Sequence, residues 1–189
     1  MEPLLPLAEE PPVPDVVIRP EHPDDHAEIA TVVTAAFESP QEADLVAAIR
    51  DSDGYVPDLA LVAEVDAKVV GHVMISRVGL EDGDSLRQIL SLAPIGVAPE
   101  FQRRGIGGQL VRAATAKADD LGAPLVVLEG SPYYYQRFGF EHSVPFGIHF
   151  DLPDWAPPEA AQVLRLSAYD PNIKGRLVYP PAFQAVEGG

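Results

Sequence analysis

APEFQRRGIGGQL, residues 98–110, places three glycines within four residues, beside Arg103 and Arg104. Before it runs LRQILSLAPIGV, residues 86–97, apolar enough for a long strand. After it, Ile106, Leu110, Ala114 and Leu121 make an apolar stripe at helical spacing, with Gln109, Arg112 and Asp119 facing elsewhere. The order is therefore strand, turn, glycines, helix. Glycine in a helix interior costs about 0.8–1 kcal/mol relative to alanine, so its position here needs a reason. The first four N–H groups of a helix have no internal partner, and the macrodipole makes that end positive. An anion answers both, and Gly105, Gly107 and Gly108 carry no side chain to hold it off the backbone. Packing of the helix close against a sheet is the alternative use of the same glycines. A P-loop string is absent, and the dinucleotide fingerprint G-x-G-x-x-G fails because Leu110 stands at its third glycine.

Outward from this stretch, the sequence divides into a flexible tail over residues 1–15, with five prolines, one domain over 16–183, and a short tail over 184–189. A strand is expected from Val16. A helix follows, with Pro23, Asp24 and Asp25 at its start and Ile29, Val32, Val33, Ala36 and Phe37 on its apolar face. A second helix over 41–51 buries Leu45, Val46 and Ile49. Leu59, Leu61, Ala63 and Val65 alternate as one face of a strand, and Asp66-Ala67 turns the chain into a partner strand over 68–78. Residues 81–85 are expected to loop. Pro94, inside the next strand, marks a bulge or a place where strands part. The long helix closes at Gly122 and Pro124. A buried strand over 124–129 follows. A short helix over 131–140 is capped by Ser131, has Pro132 at its first position and ends at Gly139. Residues 140–150, 163–169 and 175–180 are expected as strands, and 151–161, with Trp155, as a loop.

The chain has 189 residues, 29 acidic against 13 basic, for a net charge of −16. Nucleic acid is disfavoured as a partner, since phosphate binding needs basic stripes. Cationic small molecules would be attracted, although a solvated acidic surface also accounts for the charge. There is no cysteine, hence no disulfide, Cys-ligated zinc or thiol nucleophile. The first residues lack a basic region and an apolar run, and no apolar stretch reaches the roughly 18 residues of a membrane span, so a cytoplasmic protein without membrane contact is expected.

QRRGIG at 102–107 resembles the Q/R-x-x-G-x-G/A pyrophosphate-binding signature of the GNAT superfamily of acyl-CoA-dependent N-acyltransferases. LAPIGVAPEFQ resembles that family's fourth strand and loop. SPYYYQRFGF at 131–140 and GRLVYPPAF at 175–183 are similar to its YhbS-like branch. The resemblance implies an α+β fold with a mixed, mostly antiparallel sheet flanked by helices and two splayed central strands. It further implies acetyl-CoA as co-substrate, its pantetheine arm paired with the backbone of Ile95, Gly96 and Val97. The pyrophosphate would lie at Gln102, Arg103, Arg104, Gly105, Ile106, Gly107 and Gly108. The acceptor would be a small-molecule amine or a protein amino group; a homodimer is common in the family.

Acyl transfer to an amine needs a neutral amine, a polarised thioester carbonyl and a proton for the departing thiolate. Tyr135 falls where the family's Y-x-x-x-G-F tyrosine, usually the general acid, falls; Tyr134 is the second candidate, and packing within the 133–135 tyrosine cluster is the plainer role. Glu129, at a strand end, could order a water or contact the acceptor, or simply satisfy that end. His72 and His142 are further candidates for the base. His22 and His26 lack a third ligand, so no metal is expected. Arg137 is read as capping the short helix rather than meeting a phosphate. The competing reading is a catalytically silent acyl-CoA-binding sensor or partner domain.

Overall fold

The computed structural model of the protein describes residues 15–184. Apart from Asp15 and Gln184, the two expected tails lie outside the described residues. The strands are β1 (Val17–Pro20), β2 (Ala60–Val65), β3 (Lys68–Asp82), β4 (Ser85–Val97), β5 (Leu125–Glu129), β6 (Glu141–His142), β7 (Ile148–His149), β8 (Ala161–Arg165) and β9 (Gly175–Val178). They form one sheet in the order β1-β2-β3-β4-β5-β8-β6, with β9 on the distal half of β3 and β7 on β9. β4–β5 and β7–β9 are parallel and the other pairs antiparallel. This is the mixed, mostly antiparallel sheet expected.

Helices cover both faces. Helices α1 (His26–Phe37) and α2 (Gln41–Arg50) pack on one side and α3 (Ile106–Asp120) on the other. Leu61, Ala63 and Val65 point to the α3 side, as their alternation requires, but Ala60 and Val62 are buried under α1 and α2. Two-sided burial explains why residues 59–63 are an unbroken apolar run, ending at Glu64, which pairs with Arg19. Asp66 and Ala67 both have positive φ, 50° and 61°, the geometry of a two-residue hairpin turn. Ile29, Val32 and Val33 of α1 are buried, each contributing about 1.5–3 kcal/mol. Phe37 is half-exposed, because the helix stops at Glu38 in the left-handed conformation.

Several local expectations change. The strand expected over 163–169 begins two residues earlier and ends at Arg165. Residues 81–85 do not loop: Glu81 and Asp82 extend β3, and a Gly83-Asp84 turn leads straight into β4. Leu121 leaves the stripe of α3 and is exposed, because the helix ends there and Gly122 turns left-handed; Val111 and Ala118 take the buried positions. Residues 140–150 break into β6 and β7, two residues each, around a 3-10 turn at Val144–Phe146. Pro145 offers no N–H for a ladder there, and Gly147 reverses the chain at φ 74°.

The feature that positions the site is in β4. Val73 faces Ile95 and Ile75 faces Leu92, so three steps of β4 oppose two of β3. The extra residue makes a bulge at Ala93-Pro94, whose peptide bond is cis. On its other edge β4 pairs with β5 only at Leu90↔Val126 and Ser91↔Val127. Past Ser91 the two parallel strands separate.

Candidate active site

Helix α3 starts beside the open edge of β4. Gly105 is its N-cap, at φ 81°, with no side-chain cap and no acid in the first turn. The first helical bond runs from Gln109 N–H to Gly105 O, 3.1 Å, so the N–H groups of residues 106–108 have no helical partner. The three glycines have three reasons. A Cβ on Gly105 would touch nothing within 4 Å, so its positive φ is the reason. A Cβ on Gly107 would lie 2.8 Å from the Tyr134 hydroxyl. One on Gly108 would meet Arg112 Nη1 at 3.1 Å and Phe138 at 3.4 Å.

A cavity of about 640 Å³ opens at this helix start. Val97, Gln102, Arg103 and residues 105–108 line it, and Tyr134, Arg137 and Phe138 close it from the other side. Arg104 does not line it and lies over Phe101, 5.5 Å from the ring centroid. The Gln102 side chain donates to Val97 O, 2.9 Å, and fixes the loop to the strand. Ala98 N–H donates to Val70 O. By antiparallel alternation Gly96 then bonds toward His72, and the backbone groups of Ile95 and Val97 face the gap. Gly96 admits α1, since a Cβ there would lie 3.1 Å from the Ala36 side chain.

Helix α4 (Pro132–Tyr135) and a 3-10 turn at Gln136–Phe138 carry the aromatic wall. Pro132 holds the first helical position, but the Ser131 hydroxyl makes no cap bond; its carbonyl accepts from Tyr134 and Tyr135 N–H, both 3.1 Å. Arg137 Nε donates to Tyr134 O, 3.0 Å, which is the expected cap. Tyr133 points to solvent. Tyr135 does not line the cavity; it is half-buried behind Tyr134 and packs edge-on to it at 4.8 Å and to Phe140 at 5.8 Å. Its ring lies against Gly130, where a Cβ would come within 2.5 Å. Burial, with Tyr134 adding, pushes its phenol up to about 12.

Glu129 is not brought to this cavity. Leu128 points to the α3 side, so Glu129, two residues past the last β4 pair, points to the opposite face. It lines a second cavity of about 410 Å³ with Glu81, Asp151 and Tyr179, and the Tyr179 hydroxyl donates to it at 2.8 Å. His142 sits on β6 with Nδ1 3.4 Å from Ala161 O, in neither cavity. His72 is fully buried, its Nε2 2.8 Å from Glu21 Oε2. Arg50 and Tyr55 donate to the same carboxylate. Burial pushes Glu21 up, but the bonds from His72, Arg50 and Tyr55 hold it well below the usual carboxylate range. Burial outweighs Glu21 at His72, whose pKa is lowered, so the ring is neutral. Among the described residues, no group of three or more His, Asp or Glu side chains could hold a metal ion. No helix there is long and apolar enough to cross a membrane.

Sequence reasoning passed over Arg112, Phe138 and Tyr179. Arg112 was open to discovery, because it stands one helical turn beyond Gly108 on the same face. Tyr179 reaches Glu129 across 50 residues, and no local pattern carries that contact.

The Acetyltransferase (GNAT) domain family matches residues 17–143. The uncharacterized N-acetyltransferase YhbS of Escherichia coli K12 is 37% identical over 155 residues, 80% of this chain and 88% of that protein. The uncharacterized N-acetyltransferase YjhQ of the same organism is 36% identical over 117 residues, 62% of this chain and 65% of that protein. Among solved structures, E. coli YhbS in complex with CoA superposes with a TM-score of 0.81 at 30% identity, covering 93% of this chain and 96% of that one. A GNAT family acetyltransferase from Brucella melitensis in complex with acetyl-CoA gives 0.72 at 33% identity, covering 89% and 98%. With its splayed β4–β5 pair and glycine-started α3, the chain belongs to the GNAT family of N-acetyltransferases.

Proposed function

We propose that the protein transfers the acetyl group of acetyl-CoA to a primary amine by direct attack, with Tyr135 as the proton-donating group. The observation that carries this reading is the uncapped start of α3 at Gly105–Gly107 beside the unpaired edge of β4. The residues present fit the co-substrate. Orphan N–H groups at residues 106–108 suit a pyrophosphate, the cradle at Gly107 leaves no room for a Cβ, and Ile95 and Val97 offer strand-like hydrogen bonds.

In the reaction, the amine nitrogen bonds to the carbonyl carbon, the C–S bond breaks, and the amine proton is finally balanced on sulfur. The phenol of Tyr135, held near 12, stays protonated throughout the working range, as a donor must. It is a weaker acid than a thiol of about 8.5, so its main work is a hydrogen bond to the developing thiolate while the amine proton is passed on. Glu129 opens on the opposite face of β5, beside Glu81 and an Arg176–Asp151 ion pair, a lining with a net negative charge. That face would admit a cationic acceptor and give its proton a first stop, directly or through water.

The test is release of free thiol from acetyl-CoA across an amine panel. Tyr135→Phe is expected to lower kcat by about 10²–10⁴ with KM for acetyl-CoA little changed, and Tyr134→Phe far less. Coenzyme A binding without turnover on any amine would replace the enzyme by a silent acyl-CoA-binding domain. Normal kcat in Tyr135→Phe would remove this residue from the mechanism.

A further inference from the structure

With 29 acidic side chains against 13 basic ones, two arginines that converge on one cavity with no carboxylate beside them ask for a reason. Arg19, Arg50, Arg165 and Arg176 each pair with one. Arg112 and Arg137, like Arg77, Arg87, Arg103 and Arg104, form no ion pair among the described residues; what sets these two apart is where they converge. Both instead lie over one ring: their guanidinium carbons are 4.9 and 5.2 Å from the centroid of Phe138. Arg137 is also 4.2 Å above Tyr134. All four side chains line the 640 Å³ cavity. Gly108 makes the arrangement fit, since a Cβ there would lie 3.1 Å from Arg112 Nη1 and 3.4 Å from Phe138.

Two cations on one ring repel each other, and no carboxylate among the described residues pairs with either. An aromatic face recovers part of that cost. A guanidinium stacked on a ring uses its π face, while its N–H donors lie in its own plane and stay available. Arg137 spends Nε on Tyr134 O, which fixes the group without using its terminal nitrogens. Arg112 stands one turn past Gly108, about 6 Å further along α3 than the glycine cradle. The cavity thus offers neutral backbone donors at one place and two full charges at another.

We propose that Arg112 and Arg137 form a second anion site, distinct from the α3 N-terminus, that takes a phosphomonoester: the 3′-phosphate that distinguishes coenzyme A from dephospho-coenzyme A. The proposal rests on the cavity being the coenzyme A site. The charge match supports it. Each phosphate of the pyrophosphate bridge carries one charge and suits N–H groups, whereas a phosphomonoester carries about −1.5 to −2 at pH 7 and suits a pair of guanidinium groups. The clamp makes the cavity select its ligand at the end remote from the reacting thioester.

Calorimetric titration of the full chain with coenzyme A and with dephospho-coenzyme A tests this without any turnover. The wild type is expected to hold coenzyme A about tenfold or more tighter. In Arg112→Gln/Arg137→Gln, coenzyme A affinity is expected to fall to the dephospho level, with dephospho-coenzyme A changed less than about twofold. Equal wild-type affinities would overturn the clamp and leave the cavity reading standing, as would equal weakening of both ligands in the variant. Failure of the wild type to bind either ligand would overturn the cavity reading, and the clamp with it.

Discussion

Arg19 of β1 and Arg50 of α2, and the arginines around α3, are held by opposite means. Arg19 bonds Asp25 at 2.7 Å and Glu64 at 2.8 Å, and Arg50 bonds Glu21 at 2.7 Å inside the protein. Arg19 lowers the Asp25 carboxyl and is itself raised by the same bond. Arg112 and Arg137 rest on aromatic rings. The first set spends its charge on the fold and presents none to a ligand. The second keeps its charge, and the aromatic wall fixes its position without cancelling it. An acidic protein can hold an anionic ligand in this way, because its field is locally reversed where uncompensated cations converge.

The largest expected effect is on the first set. Glu21→Ala leaves Arg50 buried without its carboxylate and should cost about 3–5 kcal/mol, read as a lowered denaturation midpoint. Arg112→Ala, measured the same way, should fall within about 1 kcal/mol of wild type. If the two were equally destabilising, the contrast would collapse.

Gly107→Ala sharpens it from the other direction. Alanine improves helix propensity by about 0.8–1 kcal/mol, yet its Cβ would crowd the Tyr134 hydroxyl at 2.8 Å. Thermal stability should hold while coenzyme A affinity falls about tenfold. A titration showing unchanged affinity would remove Gly107 from the cradle.

The third effect depends on pH. His72 has a lowered pKa in the folded state, so between its folded value and the unfolded 6.5 only the unfolded chain takes up the proton. Its contribution is present above about pH 6.5 and is lost as pH falls toward the folded value, at up to about 1.4 kcal/mol per pH unit. Glu21, also lowered, adds a loss with the same sign at more acid pH. Midpoints from pH 7.5 to 5.5 should decline in wild type and be flatter in His72→Gln. Arg112 and Arg137 touch neither His72 nor Glu21, so their variants should keep the wild-type slope.

The smallest effect belongs to Arg165→Ala, which breaks the Glu141 pair. Both partners are more than two-fifths exposed, so less than about 1 kcal/mol is expected, vanishing in high salt. A larger loss would mean that Arg165 acts through the rings of Phe146 and Tyr169 beneath it.

What could be read from the sequence was what is local. The glycine start of α3, the Asp66-Ala67 turn, the alternation of β2 and the disturbance at Pro94 are each written within a few residues. The Glu21 network was not, because its members are 29, 34 and 51 residues apart and meet only through the packing of α1 and α2 on β3. Glu129 was legible as a strand end, but which face it opens on depends on the register of β5 against two neighbours. Residues 140–150 misled because apolar content resembles a strand even where proline and glycine break the ladder. Gly108, read with Gly105 and Gly107 as part of an anion cradle, acquires a further meaning beside Arg112 and Phe138.

The short ladder between β4 and β5 also has a mechanical consequence. The half-sheet from β1 to β4 and the half-sheet of β5, β8 and β6 share backbone pairing at two positions only, with side-chain packing holding the rest. Whatever lies along the open edge of β4 therefore acts as a splint between two plates. Amide exchange at the ends of β4 and β5 should slow when the gap is filled, while β2 and the proximal half of β3 stay as they were.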